Sequence, residues 1–141
     1  MKKWAILCFL LVSPIIQAQT WNKDLHEAEK LAASEGKLVL LLFSVPDECD
    51  RCLQLEKNVF GSPEFLAYAK DKFILAKPDF SAAASFETKA DNLLIVEKYN
   101  KDGFFPLVVI LDKSRVLGAV GIYNGETPGQ YVQSLKSIAG K

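Results

Sequence analysis

The sequence predicts an α/β fold in which one mixed, four-stranded sheet is sandwiched between helices. An apolar run at Lys37–Phe43 directly follows a helical pattern, which is typical of a strand buried on both faces. Strand and helix patterns then alternate, which favours parallel strands joined by crossover helices. The last two strand patterns are separated by the turn Asp112–Arg115, which predicts an antiparallel hairpin.

The predicted elements follow one another as helix, strand, helix, helix, strand, helix, strand, strand and helix. Apolar residues at helical spacing and a final Gly36 predict the first helix, and Ser62-Pro63 and Thr127-Pro128 are typical helix starts. The Ala- and Ser-rich stretch Phe80–Thr88 is predicted to form a loop. The predicted helices are Trp21–Glu35, a stretch from Cys49, Ser62–Lys70, Asp91–Tyr99 and a stretch from Thr127; the predicted strands are Lys37–Phe43, Phe73–Lys77, Leu107–Leu111 and Val116–Ile122.

Residues 1–18 have the order of charged, apolar and small residues that is typical of a secretory signal peptide. Two lysines precede an apolar run at Trp4–Ile16, which is shorter than the roughly 20 residues that span a bilayer. We therefore predict cleavage after Ala18 and a single mature domain over residues 19–141. The mature protein is then expected to be periplasmic or secreted, and a retained signal anchor is the alternative.

The composition excludes several classes of protein. A chain of 141 residues, half of them hydrophobic, is long enough to bury the core of one domain. Seventeen basic residues balance seventeen acidic ones, which argues against a strongly basic nucleic-acid-binding protein. Loss of two lysines with the signal leaves fifteen basic residues and a net charge of −2. We expect a monomer with no nucleic-acid partner.

The motif Cys49-Asp50-Arg51-Cys52 is the feature that carries chemistry. Two intervening residues on a first helical turn let the sulfurs approach bonding distance with little backbone movement. The first cysteine lies where free amides and the helix dipole favour a thiolate, which is the nucleophilic form of sulfur. We predict that Cys49 is the catalytic nucleophile, that Cys52 resolves the mixed disulfide, and that the two form the disulfide Cys49–Cys52.

Two other uses of the cysteines remain open. A structural zinc site needs four ligands. The exported chain would supply three of them, Cys49, Cys52 and His26, and would need a carboxylate as the fourth, so no metal is expected. A purely structural disulfide suits an oxidising compartment, but closing so short a loop gains little chain entropy. Redox chemistry explains the pair better, and it needs no cofactor because the electrons reside on the two sulfurs.

Several motifs in order resemble those of thioredoxin-like proteins. They are the strand Lys37–Phe43, the C-x-x-C motif six residues later, Phe104-Phe105-Pro106, and a strand that ends in Leu111-Asp112. The Gly-Lys step before the first strand, and Asn58-Val59-Phe60 followed by Ser62-Pro63-Glu64, resemble the exported bacterial subgroup. The resemblance covers about residues 21–139.

The resemblance implies roles for four residues. Cys49 matches the attacking cysteine of the family, Cys52 the resolving one, and Pro106 the cis-proline beside the motif. The backbone of the residue before that proline pairs with an extended client segment in the family, so Phe105 and Pro106 are expected to bind substrate.

This sequence departs from the family pattern at three points. Glu48 stands where the family usually has Trp, and Asp50-Arg51 stands where small or neutral residues are usual. The buried aspartate that helps to move the proton of the resolving cysteine has no counterpart, since Leu42 and Phe43 occupy that region.

These observations predict a thiol–disulfide oxidoreductase that acts on protein disulfides outside the cytoplasm. The acids Asp47, Glu48 and Asp50 outnumber Arg51 near the first sulfur and disfavour its thiolate, so we expect a reductase- or isomerase-like protein rather than a strong oxidant. The expected partners are client proteins with disulfides and a membrane or periplasmic thiol reductase. The alternative is a redox-inactive peptide-binding module with a structural Cys49–Cys52 bridge.

Overall fold

The computed structural model describes residues 19–140, which form a mixed five-stranded sheet with helices on both faces. The strands are β1 (Trp21–Asn22), β2 (Leu38–Phe43), β3 (Phe73–Ala76), β4 (Leu107–Asp112) and β5 (Arg115–Val120). The helices are α1 (Leu25–Glu35), α2 (Asp50–Leu55), α3 (Pro63–Lys72), α4 (Phe86–Tyr99) and α5 (Pro128–Ala139), and a π-helical segment (Glu56–Phe60) continues α2. The predicted signal peptide, residues 1–18, lies outside the described residues.

The strands are arranged in the order β1-β3-β2-β4-β5. β2 pairs in parallel with β3, and β1 also pairs in parallel with β3. β4 runs antiparallel to both β2 and β5, so that Leu107 at the start of β4 lies opposite Phe43 at the end of β2. The predicted parallel pairing and the predicted hairpin are both confirmed, and the thioredoxin-like α/β architecture is present.

The core lies on both faces of β2, which explains its unbroken apolar sequence. Leu40 and Leu42 face α2, α3 and α5, whereas Val39, Leu41 and Phe43 face α1 and α4. Each of these five side chains is at most 2% exposed. Two apolar layers therefore fix β2 as the centre of the molecule.

The sequence predicted four strands and a helix that begins at Trp21. The structure has five strands, and the helix begins four residues later, at Leu25. Trp21 and Asn22 form the fifth strand, and the Asn22 side-chain amide donates to the Leu75 carbonyl over 2.9 Å. The helix begins at Leu25 because the Asp24 carboxylate accepts from an amide of its first turn. Apolar spacing alone does not distinguish a short edge strand from a first helical turn.

The fourth helix starts five residues before its predicted start at Asp91. Ser85 caps it by accepting from the Thr88 amide over 3.2 Å, and Phe86 follows with 83% of its surface exposed. Because this first turn packs no apolar face against the sheet, it carries no helical period. The other predicted elements agree with the structure to within two residues at each stated bound, and Pro63 and Pro128 occupy first-turn positions as expected.

Within residues 19–140 there is no helix with the length and apolar character needed to cross a membrane.

Truncation of the central strand tests this core. Leu40→Ala is expected to lower the free energy of unfolding by about 2–5 kcal/mol, because Leu40 is fully buried and its loss leaves a cavity. Leu94→Ala, at a site that is 66% exposed, is the matched control and is expected to change stability by less than about 0.5 kcal/mol. Urea unfolding monitored by circular dichroism measures both; equal effects would contradict the assignment of Leu40 to the core.

Candidate functional site

The two cysteines lie at the start of α2, where the chain leaves the carboxyl end of β2. The structure joins Cys49 and Cys52 in a disulfide with their Cα atoms 5.2 Å apart. Cys49 has extended backbone angles and is the N-cap residue of α2, and its sulfur accepts a hydrogen bond from the Cys52 amide over 3.2 Å. The Cys49 sulfur thus accepts a hydrogen bond from one of the backbone amides that have no partner within the helix at its start.

The two sulfurs differ in their access to solvent. Cys49 is half-buried, whereas Cys52 is fully buried. A molecule in solvent can therefore reach the Cys49 sulfur more readily than the Cys52 sulfur. This asymmetry is the one that an attacking and a resolving cysteine need.

Phe105 and Pro106 lie beside the cysteines, as the resemblance implied. The peptide bond between them is cis, and the Phe105 carbonyl oxygen is 4.0 Å from the Cys49 sulfur. Both residues are placed by β4, because Leu107 pairs with the last residue of β2. The Phe105 backbone therefore lies next to the more accessible of the two sulfurs.

An aromatic cluster holds the Phe105 side chain. The rings of Phe43, Phe80 and Phe105 are in mutual contact, with centroid separations of 5.1, 5.6 and 6.0 Å. The preceding residue, Phe104, is fixed by the buried Asn100, whose side chain bonds to both its amide and its carbonyl over 3.0 and 2.9 Å. Asn100 was not predicted from the sequence, where only its position shortly before the Phe-Phe-Pro motif could have indicated it.

The charged residues around Cys49 are exposed. Asp47, Glu48, Asp50 and Arg51 all face solvent, so water and salt screen their effect on the sulfur. Glu48 also accepts from the Ala82 amide over 3.4 Å, which ties the loop before Cys49 to the turn that follows β3.

A cavity of about 310 Å³ lies beside this loop. Two of the residues that line it, Ser44 and Lys77, form a polar cluster with Glu56 that the sequence did not predict. The Glu56 carboxylate accepts from the Ser44 hydroxyl over 2.6 Å and pairs with the Lys77 ammonium over 3.0 Å. Ser44 follows β2 and Lys77 follows β3, so the parallel strands bring both to one edge of the sheet. Glu56 lies four residues after Cys52, and this helical spacing is the signal that could have found it.

Asp79 also lines this cavity. Two hydrogen bonds from Ser81, one from its side chain and one from its amide, lower the pKa of Asp79 below its usual range. Within the described part of the chain, no three His, Cys, Asp or Glu side chains are grouped so that they could hold a metal ion.

Comparisons with known proteins agree with this geometry. A sequence model of a thioredoxin-like family matches residues 20–113. The chain is 22% identical to the thioredoxin-related protein DsbJ of Chlamydia pneumoniae over 98% of its own length, and it spans 43% of the length of that relative.

Solved structures share the fold. A structure described as DsbH oxidoreductase superposes with a TM-score of 0.76 at 24% identity, covering 93% of this chain and 92% of the other. A thioredoxin from Thermus thermophilus superposes with a TM-score of 0.66 at 18% identity, covering 86% of this chain and 87% of the other. A disulphide isomerase from Xylella fastidiosa Temecula1 superposes with a TM-score of 0.55 at 21% identity, covering 67% of this chain and 68% of the other.

Alkylation of the reduced protein tests the difference between the two sulfurs. In the folded chain, iodoacetamide is expected to modify Cys49 at least about tenfold faster than Cys52. The reagent reacts with a thiolate, and it can reach the sulfur of Cys49 more easily than that of the buried Cys52. Peptide mass spectrometry after timed quenching assigns the labelled cysteine. In urea both should react at similar rates, and preferential labelling of Cys52 in the folded protein would contradict the assigned roles.

Proposed function

We propose that this chain, which belongs to the thioredoxin-like family, is a thiol–disulfide oxidoreductase acting on protein disulfides outside the cytoplasm. The observation that carries the proposal is a cysteine pair of unequal access at a helix start, with the Phe105 carbonyl beside the accessible sulfur. The names of the relatives, a thioredoxin-related protein and an oxidoreductase, support it.

The proposed mechanism has two exchanges of sulfur partners. The Cys49 thiolate attacks one sulfur of a client disulfide, which breaks that bond and releases the other client sulfur as a thiol. Cys52 then attacks Cys49, which releases the second client thiol and leaves the Cys49–Cys52 disulfide. Phe105 and Pro106 hold the client segment in an extended form during both steps. A thiol reductase, as the second partner, returns the pair to the dithiol.

The charges near Cys49 support a proposal for the direction of the reaction. Asp47, Glu48 and Asp50 oppose the Cys49 thiolate, while Arg51 and the helix start favour it. A reduced form with a weakly stabilised thiolate gives electrons readily, so we propose a reductase- or isomerase-like role.

We base the location outside the cytoplasm on residues 1–18, whose lysines, apolar run and Ala18 follow the pattern of a cleaved signal peptide. Cleavage after Ala18 would also remove Cys8, so that the mature domain would carry only the pair that we assign to catalysis. An exported oxidoreductase would meet the disulfides that such a compartment permits.

Turnover on insulin tests the proposed activity. With dithiothreitol as the recycling thiol, the protein is expected to accelerate insulin precipitation, and Cys49→Ser is expected to abolish the acceleration because the attacking sulfur is gone. When reduced Cys52→Ser is mixed with insulin without dithiothreitol, it should instead retain insulin as a mixed disulfide on Cys49, visible on a non-reducing gel. Binding of insulin without turnover, unchanged in Cys49→Ser, would support the peptide-binding alternative.

Neutralising the acids tests the electrostatic argument. Glu48→Gln with Asp50→Asn is expected to speed alkylation of Cys49 at neutral pH by roughly two- to fivefold, because fewer negative charges oppose the thiolate. Asp71→Asn, at the opposite edge of the sheet near the start of β3, is the control and should leave the rate unchanged. A slower rate in the double variant would contradict the direction that we assign.

A further inference from the structure

The two ends of the central sheet carry opposite charge. Cys49 follows the carboxyl end of β2, and the exposed acids Asp47, Glu48 and Asp50 lie within two residues of it. The opposite end is formed by the first residues of β2 and β3 and by the turn between β4 and β5. We call it the basic end, and its cations are Lys37, Lys70, Lys72, Lys113, Arg115 and Lys136.

The pairing of the strands brings four of these cations to one end of the sheet. The first residues of β2 and β3 pair with each other, so Lys37 and Lys72, which precede these strands, lie at the same end. The start of β2 also pairs with the end of β4, which brings the turn that contains Lys113 and Arg115 to this end. Cations that are far apart in sequence therefore share one surface.

The last turns of α3 and α5 add the other two cations. The Lys136 ammonium lies 5.4 Å from the centre of the Tyr68 ring, and the Tyr68 hydroxyl donates to the Gly140 carbonyl over 3.0 Å. The Lys72 ammonium is 3.9 Å from the position that a Cβ would take at Gly140. Lys70, two residues before Lys72, is exposed. The two helices thus end side by side at the basic end.

The acids at the basic end are fewer than its cations. Glu35 pairs with Lys37 over 2.8 Å, and Asp112 pairs with Arg115 over 3.2 Å. The third acid is Asp71, so that the six cations exceed these acids by three charges. One further acid and one further base, which attract each other beside the β4–β5 turn, add no net charge: Glu29 and Lys98.

The acids around Cys49 are too far away to offset this excess. β2 has six residues, and at roughly 3.3 Å per residue it separates the two ends by about 20 Å. The Debye length at an ionic strength of about 0.1 M is roughly 10 Å. A charged surface that faces the basic end therefore experiences its positive charge, although the net charge expected for the mature chain is −2.

The chain enters the domain at the basic end. The Gln19 side-chain amide donates to the carbonyls of Ala69 and Phe73 over 3.2 and 2.6 Å, which fixes the first described residue beside the start of β3. Residues 1–18 precede it and contain the apolar run of the predicted signal peptide. A signal peptide engages the membrane during export, so the basic end is the part of the domain that export delivers next to lipid.

We propose that the basic end binds the surface of a membrane that contains anionic phospholipids. Such a surface attracts clusters of Lys and Arg, and each cation close to it strengthens binding by roughly fivefold. In this orientation Cys49 lies at the far end of the domain from the lipid and stays open to clients. Membrane binding and thiol chemistry belong to opposite ends of the molecule, so either can hold without the other.

Sedimentation with lipid vesicles tests the proposal. The domain of residues 19–141, which carries both layers of the core, is mixed with vesicles in which about one lipid in three is phosphatidylglycerol, or with vesicles of phosphatidylcholine alone. We expect binding to the anionic vesicles at about 0.05 M salt, loss of that binding at about 0.5 M salt, and no binding to the neutral vesicles. Equal binding to both kinds of vesicle, or binding to neither, overturns the proposal.

Two matched double variants assign the binding to the basic end. Lys70→Gln with Lys113→Asn removes two exposed cations there and is expected to weaken binding by at least about tenfold. Asparagine is used at position 113 because the φ of 48° there is left-handed. Lys23→Gln with Lys89→Gln removes the same charge beside the Cys49 loop and should leave binding within about twofold.

Circular dichroism checks that both double variants keep the fold. If the first of them unfolds, Lys70→Gln alone decides the matter, with an expected weakening of about three- to fivefold. Unchanged binding in the basic-end variant, or an equal loss in both double variants, overturns the role of the basic end. Binding to soluble heparin without binding to vesicles would assign this end to another class of partner and would overturn the proposal too.

The reactivity of Cys49 tests the orientation. In the reduced domain bound to anionic vesicles, Cys49 should react with iodoacetamide within about twofold of its rate in solution, because its sulfur faces away from the lipid. A rate that falls by about tenfold or more would place Cys49 against the lipid and overturn the orientation. A protein that binds vesicles but does not reduce insulin would overturn the proposed function and leave membrane binding intact.

Discussion

Burial of β2 on both faces is the constraint on which the rest of the structure depends. Because apolar layers cover Leu38–Phe43 above and below, the strand is fixed at the centre of the sheet and its carboxyl end defines one edge. The parallel neighbour β3 delivers Lys77 to that edge, and the antiparallel neighbour β4 delivers Pro106. Cys49, a few residues beyond β2, therefore meets groups that are distant in sequence.

The chemistry assigned to the site follows from unequal exposure of two otherwise identical side chains. The half-buried Cys49 sulfur accepts a hydrogen bond from the Cys52 amide, whereas the Cys52 side chain is fully buried. The polar cluster of Ser44, Glu56 and Lys77 is mostly buried, whereas the acids of the Cys49 loop are exposed. Charge that faces water adjusts the first sulfur weakly, and charge that is partly buried acts on its surroundings more strongly.

The sequence predicted those parts of the fold that have a strong period or a specific capping residue. The apolar run of β2 and the Ser62-Pro63 start of α3 were both located correctly. The edge strand β1 was not, because two residues held by pairing with β3 leave no local pattern. Glu56 was missed for a related reason: its partners come from two other elements, and only the sheet brings them together.

The central claim is that the Cys49–Cys52 disulfide is a reversible electron carrier, and its equilibrium with glutathione tests this most directly. The fraction of dithiol is measured by alkylation and mass spectrometry across a series of glutathione redox buffers. The account predicts a reversible two-electron transition with a potential well below the roughly −120 mV of the strongest oxidants among thiol–disulfide proteins. A disulfide that opens only when the chain unfolds, or a potential near that of those oxidants, would contradict it.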